Sequence, residues 1–312
     1  MNFVDCLSAP GPILMEGALG ERLKREYHLR FDEQVAMARL LYQPEGAQAL
    51  KELWTGYLSI ARNYGLPFLA TTPTRRANRE RVCAAGCESA ILADNVAFLQ
   101  RLQRESGMPM YVGGLMGCKG DAYTGEGALS EAEACDFHAW QAELLGRASV
   151  DFLFAGIMPT LAEAAGMAQA MAATGIPYII SFTIQRNGAL IDGTTISDAI
   201  RYIDHVTAER PVCYMANCVH PTIVYEALSQ PFNQNETVIS RFLGIQANTS
   251  PLSYAELDGS ADLHCSPPED FAADMAKLRA VSGIKIFGGC CGTDHRHMEQ
   301  LARKLREMET EW

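Results

Sequence analysis

A single (β/α)8 TIM barrel of the α/β class, spanning residues 1–312, is the fold predicted here on three observations. Eight short apolar runs start at positions 12, 67, 110, 151, 177, 211, 242 and 284. The runs alternate with helical segments, the order that builds a parallel sheet with crossover helices. No linker, low-complexity stretch or composition shift marks a second domain. An open doubly wound sheet would use the same alternation and is the competing arrangement.

The first strand, Pro12 to Met15, runs into the glycine turn Glu16-Gly17-Ala18-Leu19-Gly20. From 45 to 64, Leu50, Leu53, Trp54, Tyr57, Leu58, Ala61 and Tyr64 share a helical face, and Gly65 and Pro67 stop it. Pro67 to Thr71 is the second strand. A helix over 91–102 closes at Gly107 and Pro109, before a third strand over 110–115. Ser130-Glu131-Ala132-Glu133 reads as a capping box opening the next helix. The fourth strand covers 151–155 and its helix 161–174. Pro177 to Thr183 is the clearest strand of all, and a helix near 198–209 leads to a sixth strand ending at Cys218. The seventh covers 242–247. Ser266-Pro267-Pro268 starts a helix with a capping serine and a proline in its first turn. Ile284 to Phe287 is the eighth strand, and a last helix runs from about 296.

Composition narrows the function. With 48% hydrophobic residues the chain can bury a full core. A net charge of −11 with no long basic run argues against nucleic acid or an anionic membrane as partner. No window approaches 18 unbroken apolar residues, and residues 1–12 lack the basic head and apolar core of a signal peptide. A cytoplasmic location is expected. Ten cysteines then point to thiols and metal, not to a disulfide scaffold. Oligomeric state, including a homo-oligomer, is left open.

The densest chemistry lies in Gly288-Gly289-Cys290-Cys291-Gly292-Thr293, just past the eighth strand. Adjacent side chains of an extended segment point to opposite sides, so only a sharp turn aims both thiols at one point. The flanking glycines permit such a turn. Soft thiolates suit zinc, which is tetrahedral and needs more than two ligands. Cys218, past the end of the sixth strand, supplies a third. Three sulfurs with one vacant corner describe a catalytic zinc. On a barrel, Glu16, Cys218, Cys290 and Cys291 all fall on the C-terminal face, where barrel enzymes do chemistry.

On these residues the chain resembles the zinc-dependent homocysteine S-methyltransferase family. That family includes the betaine- and S-methylmethionine-dependent enzymes and the homocysteine module of methionine synthase. The resemblance covers nearly the whole chain: Glu16-Gly17-Ala18, Gly120-Asp121-Ala122-Tyr123, Ser181-Phe182-Thr183, Asp192-Gly193-Thr194, Asn217-Cys218 and the complete Gly-Gly-Cys-Cys-Gly-Thr. It implies a barrel, Zn2+ on Cys218, Cys290 and Cys291, and methyl transfer to a thiol. Homocysteine would be the acceptor, methionine the product, and S-methylmethionine or S-adenosylmethionine the donor. The chemistry is consistent with this. A free thiol is mostly protonated at neutral pH, and zinc binding removes the proton to leave a nucleophilic sulfur. No other catalytic residue is required.

Two departures bear on the substrate. The family places a glutamate, which binds the substrate amino group, where this chain has Gly156 in Ala155-Gly156-Ile157-Met158-Pro159. Gln246-Ala247-Asn248-Thr249-Ser250 replaces a Tyr-Pro-Asn-Ser-Gly pattern and keeps only Asn248. Glu16 could take over the amino group, or the acceptor or donor differs. A non-catalytic zinc- or thiol-binding partner of a corrinoid protein is a further alternative.

Glu16, Gly17, Ala18, Asn217, Asn248 and Tyr123 are the candidate substrate contacts. The plainer readings make Glu16 a solvated turn carboxylate and Asn217 a helix cap. His220 is expected as a surface group at a helix start, His295 and His297 as surface groups, and Cys118 as an inert thiol.

Overall fold

Eight parallel strands pair in sequence order and close on themselves in the computed structural model, which describes residues 1–252 and 265–310. They are β1 (Ile13–Met15), β2 (Phe68–Thr71), β3 (Met110–Gly117), β4 (Phe152–Met158), β5 (Tyr178–Phe182), β6 (Cys213–Asn217), β7 (Phe242–Ala247) and β8 (Ile286–Gly289). Each begins within two residues of its predicted start. Closure is explicit: Leu14 of β1 is in register with Phe68 of β2 on one side and Phe287 of β8 on the other. An open sheet is thereby excluded.

The helices are α1 (Phe3–Ser8), α2 (Gly20–Arg25), α3 (Pro44–Asn63), α4 (Arg79–Ala84), α5 (Ala90–Ser106), α6 (Glu131–Arg147), α7 (Leu161–Ala172), α8 (Ile196–Val206), α9 (Pro221–Leu228), α10 (Glu236–Arg241), α11 (Pro268–Val281) and α12 (His295–Thr310). Among the described residues, none is long and apolar enough to cross a membrane. At the start of α6, the Glu133 carboxylate accepts from Ser130 N at 3.1 Å, as the capping box requires. The predicted serine cap of α11 is not formed. Pro267 stands at the cap and Pro268 opens the helix. Ser266 is engaged elsewhere, its N–H donating to Thr249 O at 2.9 Å.

Strand alternation sorts the core into two layers. Ile13, Met15, Leu69, Tyr111, Phe152, Phe154, Ile179, Cys213, Met215 and Ile286 fill the barrel interior. Leu14, Phe68, Ala70, Val112, Leu153 and Ile180 face outward against the helices. Helix α1 seals the N-terminal end, where Phe3 stacks on Phe152 with centroids 4.5 Å apart. Lys285 Nζ ties it down by donating to Leu7 O and Ala9 O at 2.6 Å each. With that end plugged, chemistry is left to the C-terminal mouth.

Candidate metal centre

Both cysteine segments leave their strands by sharp turns. Cys218, one residue past β6, adopts φ 55°, a left-handed conformation that costs a non-glycine residue on the order of 1–2 kcal/mol. Its N–H donates to Gln246 O at 2.9 Å, and its carbonyl accepts from Asn248 Nδ2 at 3.0 Å. Cys290 N donates to Ala247 O, and Thr293 Oγ1 donates to Cys290 O at 2.7 Å. Gly292 turns at φ 81°, and a Cβ there would stand 2.0 Å from Thr249 Oγ1, so no other residue fits without displacement. Gly17 and Ala18 brace the same structure from β1. Ala18 N donates to Thr293 Oγ1 at 2.9 Å, Ala18 O accepts from the Tyr57 hydroxyl at 2.8 Å, and Gly17 leaves room for the Tyr57 ring.

These turns bring three sulfurs together. Cys218 Sγ lies 3.0 Å from Cys290 Sγ and 3.5 Å from Cys291 Sγ, and the vicinal pair is 4.0 Å apart. Sulfurs bound at ~2.3 Å around one tetrahedral ion stand about 3.8 Å from each other, so the trio fits a single soft metal. Among the described residues it is the one set of three His, Cys, Asp or Glu ligand atoms clustered this tightly. Hydrogen bonds from Cys290, then Cys291, hold Cys218 well below the usual thiol range. The proximity of that sulfur in turn holds Cys290 and Cys291 above it.

Tyr123 completes the centre from the β3–α6 loop, its hydroxyl donating to Cys218 Sγ at 3.2 Å. The charge on Cys218, followed by burial, keeps the phenol protonated and therefore a donor. The loop is built to place it. Asp121 Oδ1 accepts from Tyr123 N and Thr124 N at 2.8 and 2.7 Å. Buried Glu163 holds both ends, accepting from Lys119 N at 2.7 Å and Leu129 N at 3.3 Å, with His138 Nε2 3.0 Å away.

Glu16 is not a solvated turn residue. It is 2% exposed, and its carboxyl accepts from Thr71 N and, at 2.6 Å, from Thr71 Oγ1. Burial pushes the carboxyl up to about 8 despite those bonds. Asn217 is not a helix cap either; His220 caps α9. Instead Asn217 bridges strands, accepting from Ile157 N at 3.2 Å and donating to Gln246 Oε1 at 2.6 Å. Among the described residues, Asn248 Oδ1 is buried without a hydrogen-bond partner, as is the hydroxyl of Ser181.

The histidines divide. His295 is exposed as expected, whereas His220 and His297 are buried, each 2% exposed. His220 is enclosed because its ring nitrogen turns inward to cap α9. The His297 ring packs on Phe271, with one nitrogen 2.9 Å from Asp294 Oδ1 and the other 3.0 Å from Ser266 O. Cys118 is part-buried, with its thiol pushed up by burial to about 12, in keeping with an inert group.

Two features left no trace in the sequence pattern. Ile157 sits at φ 59°, an outlier for a β-branched side chain, at a register shift between β4 and β5. Arg75, beyond β2, lays its stem against Gly117, whose Cβ position is 2.6 Å from Arg75 Cγ.

The fold agrees with comparisons to known proteins. The metallated homocysteine methyltransferase MmuM from Escherichia coli superposes with a TM-score of 0.74 at 19% identity, over 96% of this chain and 98% of that one. Its oxidized form gives a TM-score of 0.73 at 18% identity, over 98% of both chains. In sequence, the homocysteine S-methyltransferase YbgG of Bacillus subtilis is 25% identical over 193 residues, 61% of this chain. Homocysteine S-methyltransferase 4 of Zea mays is 23% identical over 195 residues, again 61% of this chain. The matched stretches span 58% and 55% of those two relatives. A profile of the homocysteine S-methyltransferase family matches residues 13–305, nearly the whole barrel, and the chain belongs to that family.

Proposed function

We propose that this chain is an S-methyltransferase carrying a methyl group to the sulfur of a thiol, with homocysteine as acceptor and methionine as product. Cys218, Cys290 and Cys291 would hold a zinc ion. The observation that carries the reading is the convergence of these three sulfurs, from β6 and β8, within 3.0–4.0 Å at the barrel mouth. When bound, zinc among three thiolates supplies a fourth position at which a thiol gives up its proton yet stays electron-rich.

The surrounding residues position rather than react. Tyr123 fixes Cys218 by a hydrogen bond and draws charge from its sulfur, the tuning that partners of metal ligands provide. Asn248, whose Nδ2 braces the Cys218 backbone, has an Oδ1 without a partner among the described residues and so available to a substrate N–H. Asn217, Gly17, Ala18 and Glu16 shape the floor around this point. The transfer is an in-line displacement. The acceptor sulfur bonds to the methyl carbon as the methyl–donor bond breaks, and its electron pair returns to the donor, S-methylmethionine or S-adenosylmethionine. Holding the two reactants in line is the chain's main contribution.

One observation favours a second reading, methylation of a different thiol. Gly156 supplies no carboxylate, and its Cβ position is 2.8 Å from Leu115 Cδ1, so an apolar side chain fills that side of the mouth.

Metal analysis and a coupled assay test the proposal. The purified protein should carry stoichiometric zinc and form methionine from homocysteine with a sulfonium donor. Cys290→Ala should lose both. Zinc retained in that variant, or no turnover with any sulfonium donor by the zinc-loaded protein, would overturn the reading.

A further inference from the structure

Along β3 and β4 the inward positions are Tyr111, Gly113, Leu115 and Gly117, and Phe152, Phe154 and Gly156. Gly117 and Gly156 are register partners at the top of the interior. Two side chains occupy the space these glycines leave. Leu115 covers Gly156, while the Cγ and Cδ of Arg75 lie 2.6 and 3.3 Å from the Cβ position of Gly117. The Arg75 stem therefore lies over the mouth. Its charge reaches Cys118 and Asp121 on the loop that carries Tyr123 to the cysteines, opposing the burial that raises the Cys118 thiol and adding to the backbone hydrogen bonds that hold Asp121 down.

The charges around this opening are unequal in what they can still bind. Both Glu16 oxygens are taken by Thr71. Glu21 Oε2 accepts from Gly292 N, and Asp121 Oδ1 serves two backbone N–H groups. Arg22 is paired with Glu26 at 2.7 Å, and Lys119 with Glu80 at 3.0 Å. Arg75 alone among these makes no hydrogen bond and no ion pair within 4 Å among the described residues, and exposed Arg76 beside it adds charge of the same sign. An arginine fork presents several donors in the geometry that a carboxylate accepts.

We infer that Arg75 is a specificity-determining residue that binds the carboxylate of a reactant at the mouth, so that substrates are selected by negative charge and not by their ammonium group. This rests on the methyltransferase reading and narrows its substrate class to carboxylate-bearing thiols or sulfonium donors. Leu115 and the absent side chain at Gly156 leave that side of the mouth apolar, with no carboxylate there among the described residues to pair with an ammonium.

The test compares 4-mercaptobutyrate with 3-mercaptopropylamine, which differ from homocysteine by loss of the amino and the carboxyl group respectively. Calorimetric binding to the zinc-loaded protein without donor isolates the acceptor. Turnover of homocysteine with S-methylmethionine against trimethylsulfonium isolates the donor. The carboxylate member of at least one pair should be favoured on the order of 10- to 100-fold, the range for a hydrogen bond to a charged group. Arg75→Gln should collapse that preference, and Arg75→Lys should restore part of it. Unchanged zinc content and melting temperature in both variants would show that the fold is intact. If wild type shows no carboxylate preference in either pair, or Arg75→Gln keeps it, the inference fails while the methyltransferase reading stands. If the zinc-loaded protein neither binds nor turns over any of these thiols, both fail.

Discussion

Glu16 illustrates what burial does to a single residue. It lies just past β1, in a turn where a carboxylate would ordinarily meet water, yet the ends of β1, β2 and β8 enclose it. Its ordinary pKa of 4.5 rises to about 8 through desolvation. A group raised on folding lends stability that is complete below its unfolded value and is lost as pH rises through its folded value. The fold should therefore weaken between pH 4.5 and 8 on account of this residue. Thermal melts of Glu16→Gln from pH 5 to 9 should show a flatter profile than wild type, with the variant gaining relative stability at the alkaline end. Parallel profiles would mean the carboxyl is hydrated. At this scale the clustering of the three cysteines was legible, because a thiol pair between glycines past one strand end and Cys218 past another fall on the same face of a barrel. The contact of Tyr123 with Cys218 was not, since it spans 95 positions of sequence.

Among the elements, the β3–α6 loop shows how the site is held. Glu163, on the first turn of α7, is fully buried and clamps both ends of the loop through Lys119 N and Leu129 N. Glu163→Ala would strand two backbone donors and His138, each at a cost of about 1–3 kcal/mol. Urea unfolding should shift to a lower midpoint, and limited proteolysis should cut within 118–130, displacing Tyr123. A loop as resistant as wild type would show that its own Asx turn suffices. Long elements were readable from their periodicity, as α3 and α6 show, starting within one residue of prediction. The short helices α1, α2, α4 and α10 were not, because six residues give too few turns for an apolar stripe to register.

Across the whole molecule, the barrel interior is a packed core capped by α1, and stability should be concentrated there. Phe152 is fully buried, stacks on Phe3, and fills the space that Gly113 leaves. Phe152→Ala should cost about 3–5 kcal/mol, read as a lower urea midpoint at unchanged slope. A loss below ~1 kcal/mol would mean that the ring is not a core filler. The sequence by itself determined the barrel, the order and starts of its strands, and the three sulfurs, because periodicity and ligand chemistry are properties of short stretches. Only the tertiary structure decided that Glu16 is buried, that Ile157 and Cys218 are strained, that His297 is enclosed, and that Arg75 lies over the mouth without a partner among the described residues. Those facts depend on which strand ends meet when β1 closes against β8, and distances across a closed sheet are written in no local stretch of chain.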